Sequence, residues 1–172
     1  WNPDGVLNGA RHVTLAGNYA YIAADIGVVV VDLADPLRLR VTATVPISDA
    51  RATAIQFRYL WVTSAKGLQV MDVTHMDQPV LLPAATIPLA DARRVYVART
   101  YAYVAAGRDG LVIVDVMNPE RPSVYMRVDF AGKLNDAQDV IVASTNASLF
   151  AYVADGANGL KVIQLTSPAS QP

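Results

Sequence analysis

Apolar and polar positions alternate with a period of two through most of this chain, and turn residues interrupt the alternation at regular intervals. It therefore reads as a succession of short strands. The succession repeats four times. An aromatic-centred strand comes first: Tyr19-Ala20-Tyr21-Ile22-Ala23, Leu60-Trp61-Val62-Thr63, Tyr101-Ala102-Tyr103-Val104-Ala105 and Phe150-Ala151-Tyr152-Val153-Ala154. A Val/Ile-rich strand follows, closing on Asp32, Asp72 and Asp115 in three copies and on Gln164 in the fourth. The central aromatics Tyr21, Trp61, Tyr103 and Tyr152 lie 40, 42 and 49 residues apart. A period of that size marks the blades of a β-propeller, each made of four short strands. In each repeat these two strands are the second and third. An innermost strand starts at Ala10, Ala50, Ala92 and Ala137, and a more polar outer strand is expected at 39–45, 80–87 and 123–130. The expected fold is all-β: one domain over 1–172, with repeats at about 10–49, 50–91, 92–136 and 137–165 and no helix of note.

The fourth repeat has no outer strand, which bears on how a ring would close. Asn2-Pro3-Asp4-Gly5 is turn-like and leaves only Val6 and Leu7 to pair, while the tail after Leu165 carries two prolines. The chain is thus either a four-bladed ring or a four-blade arc of a larger ring. The arc predicts self-association, or completion by further blades of the same or another chain.

The third repeat, Gly110-Leu111-Val112-Ile113-Val114-Asp115-Val116-Met117-Asn118-Pro119 with Tyr101-Ala102-Tyr103-Val104-Ala105 before it, resembles the LVIVD repeat family, whose name is nearly spelled at Leu111 to Asp115. The resemblance covers about residues 10–165. It implies a β-propeller of the kind found mostly in exported or cell-surface proteins of bacteria and archaea, with no common activity. Asp32, Asp72 and Asp115 match the strand-closing Asp, and Pro36, Pro119 and Pro168 stand four residues after that position; Gln164 and Met76 depart from the pattern. The implied location is extracellular, cell-surface or periplasmic.

Composition narrows the picture. With 53% hydrophobic and 17% charged residues the chain can bury a core, and no apolar run approaches the ~20 residues of a spanning helix, so membrane insertion is not expected. A formal net charge of -1 removes the electrostatic term that dominates nucleic-acid binding. Cysteine is absent, and with it disulfides and thiolate chemistry. The chain starts at Trp1, consistent with a processed export signal or an excised segment.

Candidate chemistry gathers at one face. Antiparallel order sends the connectors into the innermost strands and the turns between second and third strands to the same side. There the chain repeats Asp49-Ala50-Arg51, Asp91-Ala92-Arg93 and Asp136-Ala137-Gln138, with Gly9-Ala10-Arg11 in phase. Arg11, Arg51 and Arg93 around a channel mouth have the fork geometry for a carboxylate or phosphate, with Gln138, His12 and Asp109 as companions; the structural alternative is that each Asp–Arg set ties blades together. Asp32, Asp72 and Asp115 precede turns, where an Asp caps backbone N–H groups two residues on, so metal binding is not expected of them. The turn at Asp155 to Gly159 lacks the closing Glu of a calcium loop. His12 and His75 fall on opposite faces and Glu120 is the one glutamate, leaving no paired catalytic groups. The four aromatics are read as core. Asn146-Ala147-Ser148 forms a glycosylation sequon.

The expected function is a non-enzymatic scaffold or interaction module that binds a protein or polymer partner, without catalytic residues, metal or cofactor. The alternative is a small-molecule or anion-binding propeller using the Arg-lined mouth, as part of a larger enzyme.

Overall fold

A computed structural model of the chain describes residues 1–145 and 148–165; the sequon asparagine, Asn146, lies outside the described residues. Four antiparallel sheets follow one another along the chain. Blade 1 consists of β1 (His12–Ala16), β2 (Tyr19–Ala24), β3 (Gly27–Asp32) and β4 (Arg40–Pro46), and blade 2 of β5 (Ala52–Gln56), β6 (Tyr59–Ser64), β7 (Gly67–Asp72), β8 (Val80–Leu81) and β9 (Ile87–Pro88). Blade 3 consists of β10 (Arg94–Ala98), β11 (Tyr101–Ala105), β12 (Leu111–Asp115) and β13 (Ser123–Val128), and blade 4 of β14 (Asp139–Ser144), β15 (Leu149–Ala154) and β16 (Leu160–Gln164). Strands pair in chain order except that β9 joins β8 on β7, and β1 packs beside β5, β5 beside β10, and β10 beside β14. The first strand of each sheet is therefore innermost, and the four sheets form a four-blade β-propeller arc. Among the described residues the helical structure is confined to three single 3-10 turns.

Alternation gives every blade two apolar faces, and the core is the set of contacts between the following face of one blade and the preceding face of the next. Tyr21, Ala23, Val28 and Val30 of blade 1 meet Leu60, Val62 and Met71 of blade 2. Trp61, Leu68 and Val70 of blade 2 meet Val95, Val104, Val112 and Val114 of blade 3. Tyr103, Leu111 and Ile113 meet Val140, Val142, Val153 and Ile163 of blade 4. One apolar connector residue plugs each joint: Ile47, Leu89 and Leu134. Three of the four in-phase aromatics are buried as expected, but Tyr152 is only half-buried, because no following blade covers its face among the described residues.

The outer edge departs from expectation once. The continuous strand expected over 80–87 is two short pieces, β8 and β9, both on β7, separated by a 3-10 turn at Pro83–Ala85. Pro83 has no N–H to continue the ladder and sits readily at the start of such a turn. The turns that close the third strands behave as read. Asp32 accepts from the backbone N–H of Ala34 at 2.9 Å, Asp72 from Thr74 at 2.7 Å and Asp115 from Met117 at 2.8 Å. Gly27 and Gly67 open β3 and β7 at φ 134 and 111, and a Cβ at either would fall on a backbone carbonyl of the outer strand, Val45 or Ile87.

Candidate functional site

The connectors entering blades 2, 3 and 4 bring Asp49, Asp91 and Asp136 to one end of the arc, each two residues before the innermost strand's arginine or its substitute. Arg51 Nε donates to Asp49 Oδ2 at 2.7 Å within its own connector, and its Nη1 crosses to the next blade, donating to Asp91 Oδ1 at 2.7 Å and to the carbonyl of Ala92 at 3.0 Å. Arg93 repeats the arrangement, with Nε on Asp91 Oδ2 at 2.8 Å and Nη1 on Asp136 Oδ1 at 2.7 Å. Gln138 Nε2 ends the run on Asp136 Oδ1 at 2.9 Å. The result is a ladder of alternating charge running from blade 2 to blade 4. Arg93 first, then Arg51, holds the Asp91 carboxyl below its ordinary value against the opposing effect of burial; Arg93 and then Gln138 do the same for Asp136.

Blade 1 joins this end differently. Gly9 stands where the others have Asp, and the Asp25 carboxylate occupies the space a side chain at position 9 would need. Arg11 accordingly donates to Asp25 Oδ1 at 2.7 Å and, through Nη1, to the carbonyl of Ala50 at 3.2 Å.

His12 lies half-buried between β1 and β5. Its Nδ1 accepts from the backbone N–H of Thr53 at 3.2 Å, which requires an unprotonated Nδ1. Loss of solvent, then the nearby Arg94, lowers its pKa, opposed by Asp139. His12 is thus another tie between blades 1 and 2, as is Thr14, whose hydroxyl donates to the carbonyl of Thr53 at 2.9 Å. His75 lies in the turn after β7, within a different hollow beside Arg58 and Asp72.

Arg11, Arg51, Arg93 and Gln138 share one open cavity of about 560 Å³, which also takes in Asp49, Asp91, Arg94 and Asp139. Arg94 and Asp139 face each other at 4.0 Å. Asp139 was not singled out from the sequence, although it opens β14 at the position that His12 and Arg94 occupy in β1 and β10. Asp109 lies apart, in a neighbouring hollow with Arg108, Asp136 and Asn135, and binds Arg127 Nη1 at 3.1 Å. A third hollow, of about 590 Å³ between blades 3 and 4, is lined by Tyr101, Tyr103, Tyr125, Phe130 and Ile163. Its apolar character gave no sequence signal beyond the repeat itself. Among the described residues no three His, Cys, Asp or Glu side chains converge as metal ligands would.

The LVIVD repeat model matches three stretches, 9–42, 90–129 and 135–172, which together make up more than half of the chain. The chain belongs to the LVIVD repeat family. The repeat left unmatched is blade 2, the one with the broken outer strand and Met76 in place of the family's proline. No curated protein sequence matches the chain. Several solved structures share the fold at low identity. The computationally designed Ika4 protein superposes with TM-score 0.64 at 12% identity, over 92% of both chains. The extracellular domain of the putative hybrid two-component system BT4673 from B. thetaiotaomicron does so with TM-score 0.61 at 15% identity, over 92% of this chain and 22% of that one. PorZ, a bacterial surface component of the type-IX secretion system of Porphyromonas gingivalis, gives TM-score 0.52 at 15% identity, over 94% of this chain and 23% of that one. This LVIVD chain thus spans nearly the whole of the designed protein but under a quarter of the two natural ones.

Proposed function

We propose that this chain is a non-enzymatic propeller scaffold of an exported or surface protein, and that it binds a protein partner through its blade faces. One observation carries the reading: the polar groups at the mouth are turned on one another, whereas large apolar side chains on the end blades, Leu15 and Leu160 among them, stand in solvent. The ladder engages the guanidiniums of Arg51 and Arg93 with two carboxylates each, so the repeated Asp–Arg pair works as a strut between blades. The location rests on the family and on the fold shared with an extracellular domain and a surface component.

A photo-crosslinking residue at Leu160, in the cell-envelope fraction, is expected to form a polypeptide adduct, and the same residue at Leu37, exposed in the turn after β3, is expected to form none. Equal labelling at both positions would defeat the reading. A second reading, anion binding at the mouth, is favoured by the four arginines against three aspartates that line the cavity. Calorimetric titration with inorganic phosphate separates the two: saturable heat that disappears in Arg94→Gln would replace the scaffold with an anion site.

A further inference from the structure

The two ends of the arc carry the two halves of a joint that the chain already builds three times. On the preceding face, strand register makes Val13, Ile22 and Val29 of blade 1 equivalent to Val95, Val104 and Val112 of blade 3, and Leu15, Ala20 and Val31 equivalent to Val142, Ala151 and Ile163 of blade 4. On the following face, Ile141, Tyr152 and Val162 of blade 4 are equivalent to Tyr96, Tyr103 and Ile113 of blade 3, and Leu160 to Leu111.

Exposure shows large apolar side chains without a partner on both end faces, although Ala20, Val29 and Val31 on the preceding face of blade 1 are already covered, by Val6 and Leu7 among others. Leu160 is 65% exposed where Leu111 is 0%, and Val162 is 55% exposed where Ile113 is 5%. At the other end Val13 is 55% exposed where Val95 is 8%, and Leu15 is 64% exposed where Val142 is 7%. Even the plug is present: Leu7, four residues before Arg11 as Ile47 is before Arg51, already packs on the preceding face of blade 1.

The charge ladder agrees independently. Its next link would run from position 138 of one end to position 9 of the other. Those two positions hold Gln138 and Gly9, so the arginine and the aspartate are missing together and neither charge would be left unpaired at the seam. Propeller rings hold about 4–8 blades, so whole copies of a four-blade chain can close as one or as two. One copy closed on itself would bury Leu15 and Leu160, and the structure leaves both in solvent.

We infer that the following face of blade 4 docks on the preceding face of blade 1 of a second copy of this chain, with two identical joints closing an eight-bladed ring about a two-fold axis. The inference rests on the partner-binding reading above and names the partner.

Sedimentation of the 172-residue chain should give twice the chain mass. Leu15→Glu and Leu160→Glu should each be monomeric with native circular dichroism, because every joint uses one of each face. An equimolar mixture of the two variants should regain one-to-one pairs, since one joint then unites two native faces. If Leu160→Glu loses its native spectrum, Val162→Lys, on the same exposed face, takes its place. A monomeric native chain overturns the inference, and so does an assembly larger than two copies. A dimer that survives Leu15→Glu but not Leu160→Glu also overturns it, since that would mean pairing of one face with itself. A monomer that still gives the Leu160 adduct to a different polypeptide refutes the second copy and leaves the partner-binding reading intact, whereas a two-copy ring whose only adduct is to itself limits that reading to self-assembly.

Discussion

Trp61 offers the sharpest test of the interblade core. It sits at the centre of the joint between blades 2 and 3, is fully buried, and has no hydrogen-bond partner for its indole Nε1 among the described residues. An aromatic side chain of this kind buries roughly 150–250 Å², which at about 25 cal/mol per Å² corresponds to roughly 4–6 kcal/mol as an upper figure. Truncations of this size usually cost about 3–5 kcal/mol. The native state, however, already carries the cost of burying an unpaired N–H, on the order of 1–3 kcal/mol. Trp61→Ala relieves that cost while opening a cavity, which places it near the lower end, about 3 kcal/mol. Trp61→Phe relieves it while keeping a ring in the joint, so it should lie within about 1 kcal/mol of native. Urea denaturation followed by far-ultraviolet ellipticity measures both, and an unchanged denaturant slope is required for the comparison. If Phe costs as much as Ala, the N–H is satisfied in the folded protein and the reasoning fails. If Ala costs little, the aromatic face is not the core.

Two further outcomes follow from the mouth. Arg51→Ala removes a three-quarters-buried fork, taking its arginine from Asp49 and leaving Asp91 to Arg93 alone; a loss of about 1–2 kcal/mol is expected, shrinking as salt screens the pairs, and a salt-independent loss would point to packing instead. His12 has a folded pKa below its unfolded value, so it contributes stability that is fully present above about pH 6.5 and is lost as pH falls from there toward the folded pKa. Denaturation midpoints between pH 7.5 and 5 should show this decline in the native chain and a weaker one in His12→Gln, and identical profiles would dissociate His12 from it.

The repeat made the architecture legible because strand alternation and a blade-length period are properties of local sequence. The Asp-x-Arg phase was equally visible, but its geometry was not, since the sequence cannot show that Arg51 crosses a blade boundary to Asp91 and not into the channel. Pro83 lies inside the outer strand expected over 80–87, and its missing ladder N–H is what divides that strand into β8 and β9. The half-burial of Tyr152 could not be read from phase, because a residue's environment depends on the blade that follows and phase describes only the blade it belongs to.

The break at Pro83 also sets how the rims of the blades meet other polypeptides. A run of free N–H and C=O groups on an outer strand is a template for an added strand, and proline and short strands blunt it. Blade 2 presents two dipeptide strands with a 3-10 turn between them, so an incoming strand finds no continuous edge there. Blade 3 presents the six-residue strand β13, which bulges once against β12 at Tyr125, with Val124, Tyr125 and Met126 exposed along it. Under partial unfolding or crowding, strand addition should therefore favour the outer edge of blade 3 over that of blade 2.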